Sequence, residues 1–263
     1  MRTVRIGNIE VSRLVTGGNP FSGFSHQSGQ RDQEMVHYYS AANIKDALRK
    51  AEAAGVNTVF ARTDAHVRRL MLEYWDEGGT IQWIGQTASE YPDQIQAAKQ
   101  AIRAGAKGVY IHGGIVDFWF AQGQFEMIKD AAKAIRDAGA PAGLAGHTVE
   151  VHRWIRDNVP LDFQMCCYYD PSPRANNPHH ISGQAEKWEE SHRAEMGELI
   201  QTIPWTVAHY KIFAAGNKSI DEGWRFLAKT IRPNDIACIG HYLGDNPNMI
   251  AENVATFDRL IKN

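Results

Sequence analysis

Eight times along this chain a short run rich in β-formers is followed by a stretch of helical period. The runs are Leu14–Thr16, Thr58–Ala61, Ile81–Ile84, Gly108–His112, Ala142–Ala145, Phe163–Tyr169, Trp205–Lys211 and Ile236–Gly240. Helical spacing is read over Ile44–Ala54, Val67–Trp75, Asp93–Ala104, Phe125–Ala138, Val149–Arg156, Gln184–Gln201, Asp221–Thr230 and Met249–Lys262. Unbroken alternation of this kind indicates parallel strands joined by crossover helices. Over 263 residues it predicts one (β/α)8 TIM barrel, a fold that usually takes about 250 residues. Ahead of it, Thr3–Val11 reads as two short strands about a Gly7-Asn8 turn, an N-terminal β-hairpin placed to close the barrel floor. A doubly wound open sheet is the alternative, but Gly17-Gly18 alone is a weak dinucleotide fingerprint.

Two long segments lack regular periodicity, Phe21 to about Ala41 and Asp170 to about Gly183. Connections of that length are usually functional loops or lids. No linker or composition shift divides the chain, so it reads as a single domain. A formal charge of −2 offers no electrostatic case for nucleic acid or an anionic membrane. No apolar run is long enough to span a bilayer. The opening Met1-Arg-Thr-Val-Arg5 lacks the apolar stretch of a signal peptide. Cys166, Cys167 and Cys238 show no framework spacing, so a cytoplasmic chain is expected.

In such a barrel, reactive groups stand at the carboxyl ends of the strands. The candidates there are Asn19, Arg62, Asp64, His66, Gln86, His112, His147, Gln164, Tyr168, His209, Lys211 and His241. His112 ends a strand immediately before Gly113-Gly114. Lys211 interrupts an apolar strand, where an unpaired ammonium is costly. His112 and Lys211 are read as the catalytic acid and base, with Asp64 tuning one of them. Asp64 has a plain structural reading too, as a helix cap. Asn19, Arg62, Gln86, His147, Gln164, Tyr168, His209 and His241 are read as substrate- or cofactor-binding. Trp83, Tyr168 and Tyr169 are expected near the mouth, and His179-His180 as solvated loop residues. His112, His147 and His209 offer three nitrogens of the kind that bind zinc, without supporting short spacing, so a divalent metal is a lesser alternative.

Several segments, in order, resemble the aldo-keto reductase family: Ile6-Gly-Asn-Ile-Glu-Val-Ser-Arg-Leu-Val-Thr-Gly17, Gly55-Val-Asn-Thr-Val-Phe60, Val109-Tyr-Ile-His112, Phe163-Gln-Met-Cys-Cys-Tyr168, Arg232-Pro-Asn-Asp-Ile-Ala-Cys-Ile-Gly240 and Glu252-Asn253. The resemblance implies a (β/α)8 barrel opened by a hairpin, and carbonyl reduction with NADP through an aspartate, a tyrosine, a lysine and a histidine. It assigns the histidine to His112 and a cofactor-contacting glutamine to Gln164. The chain departs elsewhere. The aspartate's place falls near Phe60-Ala61, the tyrosine's at Asp64-Ala-His66, and the lysine's at Gly85-Gln86. His147-Thr148 replaces the pair that would hold the carboxamide, His209 the stacking aromatic, and no basic cluster follows the last strand. The reading is therefore a divergent barrel enzyme for a small polar carbonyl or sugar-like substrate, working by acid–base chemistry such as isomerisation or elimination. A lysine Schiff base at Lys211 is a variant of it. The alternatives are an atypical NADP-dependent oxidoreductase and a non-catalytic ligand-binding barrel.

Overall fold

Residues 1–184 and 186–262 are described by the structure, a computed structural model. Strands β1 (Thr3–Ile6) and β2 (Ile9–Ser12) form the expected antiparallel hairpin, with Val4 opposite Val11. Eight parallel strands follow: β3 (Leu14–Gly17), β4 (Thr58–Arg62), β5 (Gln82–Gln86), β6 (Gly108–Ile111), β7 (Ala142–Gly146), β8 (Phe163–Cys167), β9 (Thr206–Tyr210) and β10 (Ile236–Gly240). They close in the order β10-β3-β4-β5-β6-β7-β8-β9.

The outer ring holds α2 (Ala41–Ala53), α3 (Ala65–Asp76), α4 (Gln94–Arg103), α6 (Phe125–Asp137), α7 (Val149–Asn158), α8 (Glu190–Ile200), α9 (Ile220–Thr230) and α10 (Met249–Leu260). Their apolar faces turn to the strands at helical spacing, as Ile44, Ala47, Leu48 and Ala51 do in α2. Side chains in the connections after the strands start several of these helices. Asp64, Asp93 and Thr148 each accept a backbone N–H from the first turn, capping α3, α4 and α7.

The sequence reading misses two helices and misplaces the start of a third. The first long segment contains α1 (Gly29–Tyr38), and α5 (Gly113–Ala121) begins directly at the end of β6. The helix expected from Gln184 begins only at Glu190. Its early residues instead extend the second long loop, which runs from Asp170 to Glu189 with Ala185 outside the described residues.

The barrel interior is filled by Val15, Phe60, Ile84, Tyr110, Ala145, Phe163, Met165, Ala208 and Ile236. The rings of Phe60, Tyr110 and Phe163 meet at 5.8–6.0 Å, within the range favoured for aromatic pairs. Ile6 and Val11 of the hairpin join this cluster. Gly7 approaches Pro141 and Asp162, which precede β7 and β8, so the hairpin stands at the amino-terminal end of the strands. With the floor closed by the hairpin, the opposite end is left for a site. No described helix is long and apolar enough to cross a membrane.

Candidate active site

At the carboxyl end of the strands a cavity of about 420 Å³ opens among Asn19, Arg62, Gln86, His112, His147 and Lys211. All six are rim residues expected from the sequence. The loops add Phe24, His26, Glu90, Arg174, His179 and His180, and β9 adds Tyr210.

His147 follows β7 and is 7% exposed. Its Nδ1 lies 2.6 Å from Asp117 Oδ2, and its backbone N–H donates to Asp117 Oδ1 at 3.1 Å. Asp117 comes from α5, where it is the only charged residue. Burial pushes the Asp117 carboxyl up to about 7, against the hydrogen bond from the His147 backbone. Burial, with help from Lys211 and Arg174, lowers His147 well below the usual imidazole value. The pair therefore takes up one proton near neutrality and resists a second.

Lys211 directly follows β9 and has a left-handed backbone, with φ of 55°. That turn breaks the alternation of the strand and lets the side chain enter the cavity. Its Nζ lies 3.4 Å from His26 Nδ1, 4.0 Å from Glu186 Oε2 and 5.4 Å from the Trp188 ring centre. Burial lowers its pKa, while Cys167 and Glu186 favour the charged form. Its carboxylate neighbour is thus Glu186 rather than Asp64.

Asp64 caps α3, accepting from Val67 N at 2.9 Å, and binds Arg62 Nε at 3.0 Å. It is not among the cavity-lining residues, so its direct effect is on Arg62. Arg62 also pairs with Glu90 and lies 5.0 Å from the ring centre of Phe24. His112 donates its backbone N–H to Thr87 Oγ1 at 3.0 Å, and its buried Nδ1 has no hydrogen-bond partner among the described residues. Burial, with His147, Arg62 and Arg174 nearby, keeps its imidazole neutral.

The two glycines after His112 allow close approach. A Cβ on Gly113 would stand 3.0 Å from His147 Cε1, and one on Gly114 would collide with the Pro178 carbonyl. Gly113 makes room for the imidazole of His147, and Gly114 lets the second loop settle over the cavity.

Besides Asp64, four expected site residues stand outside the cavity lining. Gln164, Tyr168 and His209 lie between the barrel and its helices. The Gln164 amide lies 2.6 Å from His152 Nδ1 and accepts from Trp205 Nε1 at 3.0 Å. Tyr168 Oη is 2.9 Å from His209 Nδ1, and His209 Nε2 is 3.2 Å from Asp235 Oδ2. His241 is 1% exposed and bonds Thr16 Oγ1 at 3.0 Å. The physical reason is the pleat. The interior phase of β8 and β9 carries Phe163, Met165 and Ala208, which leaves the polar positions on the outer face. His112, His147 and His209 therefore do not converge on a metal. Trp83 also faces outward, donating to the Ala61 carbonyl at 3.0 Å. Tyr169 packs on Trp188, with ring centres 5.4 Å apart. The remaining rim candidate, His66, is solvent-exposed on the first turn of α3. His180, expected in solvent, is partly buried at the cavity wall, while His179 is exposed at its edge.

His26, Arg174 and His180 carried no sequence signal beyond lying in long loops, and Glu186 fell within the helix expected from Gln184. Asp117 carried one, as a lone acid in the apolar run Ile115-Val-Asp-Phe-Trp119.

The closed ring of strands, the hairpin under its floor and the site at the carboxyl rim define a (β/α)8 barrel opened by an N-terminal hairpin. No known family model matches the chain, and no curated protein does. Solved structures resemble it in fold. The PA4992 protein of Pseudomonas aeruginosa, provisionally assigned as an aldo-keto reductase, superposes with a TM-score of 0.67 at 15% identity, over 99% of this chain and 96% of that one. Aldo-keto reductase AKR11C1 from Bacillus halodurans gives 0.60 at 12% identity, over 98% and 91%. A protein from Coccidioides immitis, provisionally assigned as a deoxyribose-phosphate aldolase, gives 0.52 at 14%, over 81% and 79%. At these identities the likeness is one of fold.

The fold raises the question of a nicotinamide cofactor. Beside the cavity a second groove of about 330 Å³ runs past Gly17, Phe213, Gly216, Ile239 and Tyr242. Its lining is largely apolar. Arg31, which lines it, is held by Glu34 and by Asp245, and Asp245 is itself in the lining. An acidic group against a neutralised arginine does not fit the phosphates of NADP.

Proposed function

We propose that this chain is an enzyme that moves a proton on a small, polar, sugar-like carbonyl compound, by isomerisation or elimination. His147 takes the proton from the carbon next to the carbonyl. Asp117 orients the ring and shares the charge. Lys211 faces the same cavity and stabilises the oxyanion that develops on the carbonyl oxygen. His112, a neutral imidazole, supports it as a hydrogen-bonding group. Arg174, whose Nε is buried without a hydrogen-bond partner among the described residues, suits an acidic substituent on the substrate, bound as a guanidinium–carboxylate or guanidinium–phosphate pair.

The observation that carries this reading is the sharing of one cavity by Lys211 and the Asp117–His147 pair. A base whose pair titrates near neutrality and a lysine placed to hold negative charge are what enolisation requires. The test is turnover of a panel of hydroxyaldehydes, ketoses and sugar acids by purified protein. Conversion by the native chain, lost in Lys211→Ala, is expected. Full conversion by the variant would refute the role given to Lys211.

A further inference from the structure

We propose that His26, His180 and Glu186 bind a divalent transition-metal ion at the cavity mouth, with zinc the best match to two imidazoles and a carboxylate. Among the described residues these three form a group whose ligand atoms all lie within 4.8 Å of one another. They come from the two long loops, which also meet where Asp32 of α1 accepts from Ser25 and Ser182.

Two members are already close. His26 Nδ1 stands 2.8 Å from Glu186 Oε1, and His180 Nδ1 is 4.0 Å from the same oxygen. Ligands at about 2 Å from a tetrahedral ion stand roughly 3.2 Å apart. His180 therefore needs to close by about 1 Å, within reach of a ring rotation. The rings of His26 and His180 already meet edge to face at 4.7 Å between centres.

An unpartnered atom points the same way. The Glu186 side chain is 3% exposed, yet among the described residues its Oε2 accepts no hydrogen bond, with Lys211 Nζ 4.0 Å away. A buried carboxylate oxygen without a donor is costly unless a cation completes it. His26 is also held in a left-handed conformation, with φ of 57°, a strain that tends to persist at ligand sites. An ion here would stand beside Lys211 as a Lewis acid toward a carbonyl oxygen, with its open positions supplied by water or substrate.

The site shares the cavity of the proposed reaction but rests on its own donors. Equilibrium dialysis of the chelator-stripped full chain against Zn²⁺, without substrate, therefore tests it alone. One ion per chain is expected, with affinity reduced about tenfold or more in His180→Ala and in Glu186→Gln, and retained in His179→Ala. The native chain loaded with Co²⁺ is expected to show the visible bands of a four- or five-coordinate ion. This readout needs no variant to fold. Absence of stoichiometric uptake, or uptake indifferent to both substitutions in folded variants, would overturn the site. Turnover assayed in excess chelator then reports on the acid–base pair separately.

Discussion

His147 Nδ1 and Asp117 Oδ2 stand 2.6 Å apart in a buried pair joined a second time through the His147 backbone. One partner follows a barrel strand and the other lies on a helix whose first residues are Gly113 and Gly114. The pair is thus fixed by the same turn that presents His112, and this locates the base in the proposed reaction.

The first prediction concerns pH. Because the Asp117 carboxyl is pushed up to about 7, the pair gains a proton as pH falls through that range and ceases to act as a base. A plot of kcat/KM against pH should bend downward below about pH 7. Asp117→Asn should lower kcat by about a hundredfold or more and abolish that bend, with KM little changed. A native profile with no inflection in this range would contradict the assignment.

Lys211 gives a prediction in which stability and activity separate. Its left-handed backbone suits glycine and penalises a residue with a Cβ. Lys211→Gly should be about 1 kcal/mol more stable than Lys211→Ala in urea unfolding, while both lose turnover. Equal stability would mean that the left-handed turn is not maintained in the variants.

Gly114 tests the seating of the second loop. A methyl group there meets the Pro178 carbonyl, so Gly114→Ala should push the loop that carries Arg174 and His180 away from the cavity. Raised KM and faster proteolysis within residues 170–184 are expected, with little change in the circular dichroism of the barrel. Unaltered KM would show that the loop does not bear on the site.

His209, an expected site residue, has a structural role instead, as the partner of buried Asp235. Burial alone would raise the Asp235 pKa, but hydrogen bonds from His209 and Arg232 override this and bring it down to about 2. Since the folded value is depressed, the stabilisation is present above the unfolded pKa of about 4 and lost as pH falls toward 2. The linked contribution is about 2 kcal/mol. Asp235→Asn should lower stability at pH 7 and flatten the acid limb of unfolding. His209→Ala should destabilise in the same way, and a fully stable His209→Ala would contradict the outward placement.

What the sequence made legible follows from periodicity. Strand and helix spacings differ, so the eight units and the hairpin could be read, and with them the rim positions of His112, His147 and Lys211. The inward phase of a strand buried on both faces could not be read, because apolar residues occupy both phases. Gln164, Tyr168 and His209 were misplaced for that reason, and Lys211 escaped their fate only through its left-handed turn. The loop residues His26, Arg174 and His180 owe their positions to tertiary folding of long segments with no period of their own, and Glu186 to a helix that starts later than its spacing suggested. Asp117 was legible in principle, as one acid amid apolar neighbours that has to find a buried partner.

Nicotinamide dependence is checked by titrating the protein with NADPH and following cofactor fluorescence. No saturable change is expected, given a largely apolar groove whose Arg31 is already held by Glu34 and Asp245. Tight binding would revive the oxidoreductase reading.

The central claim is tested most directly by proton exchange. The native chain, incubated in deuterated water with the substrate panel, should place deuterium on the carbon beside the carbonyl of at least one compound, read by NMR. Lys211→Ala and Asp117→Asn should each lose that exchange. Exchange surviving in both folded variants, or absent from the native chain across the whole panel, would contradict the account.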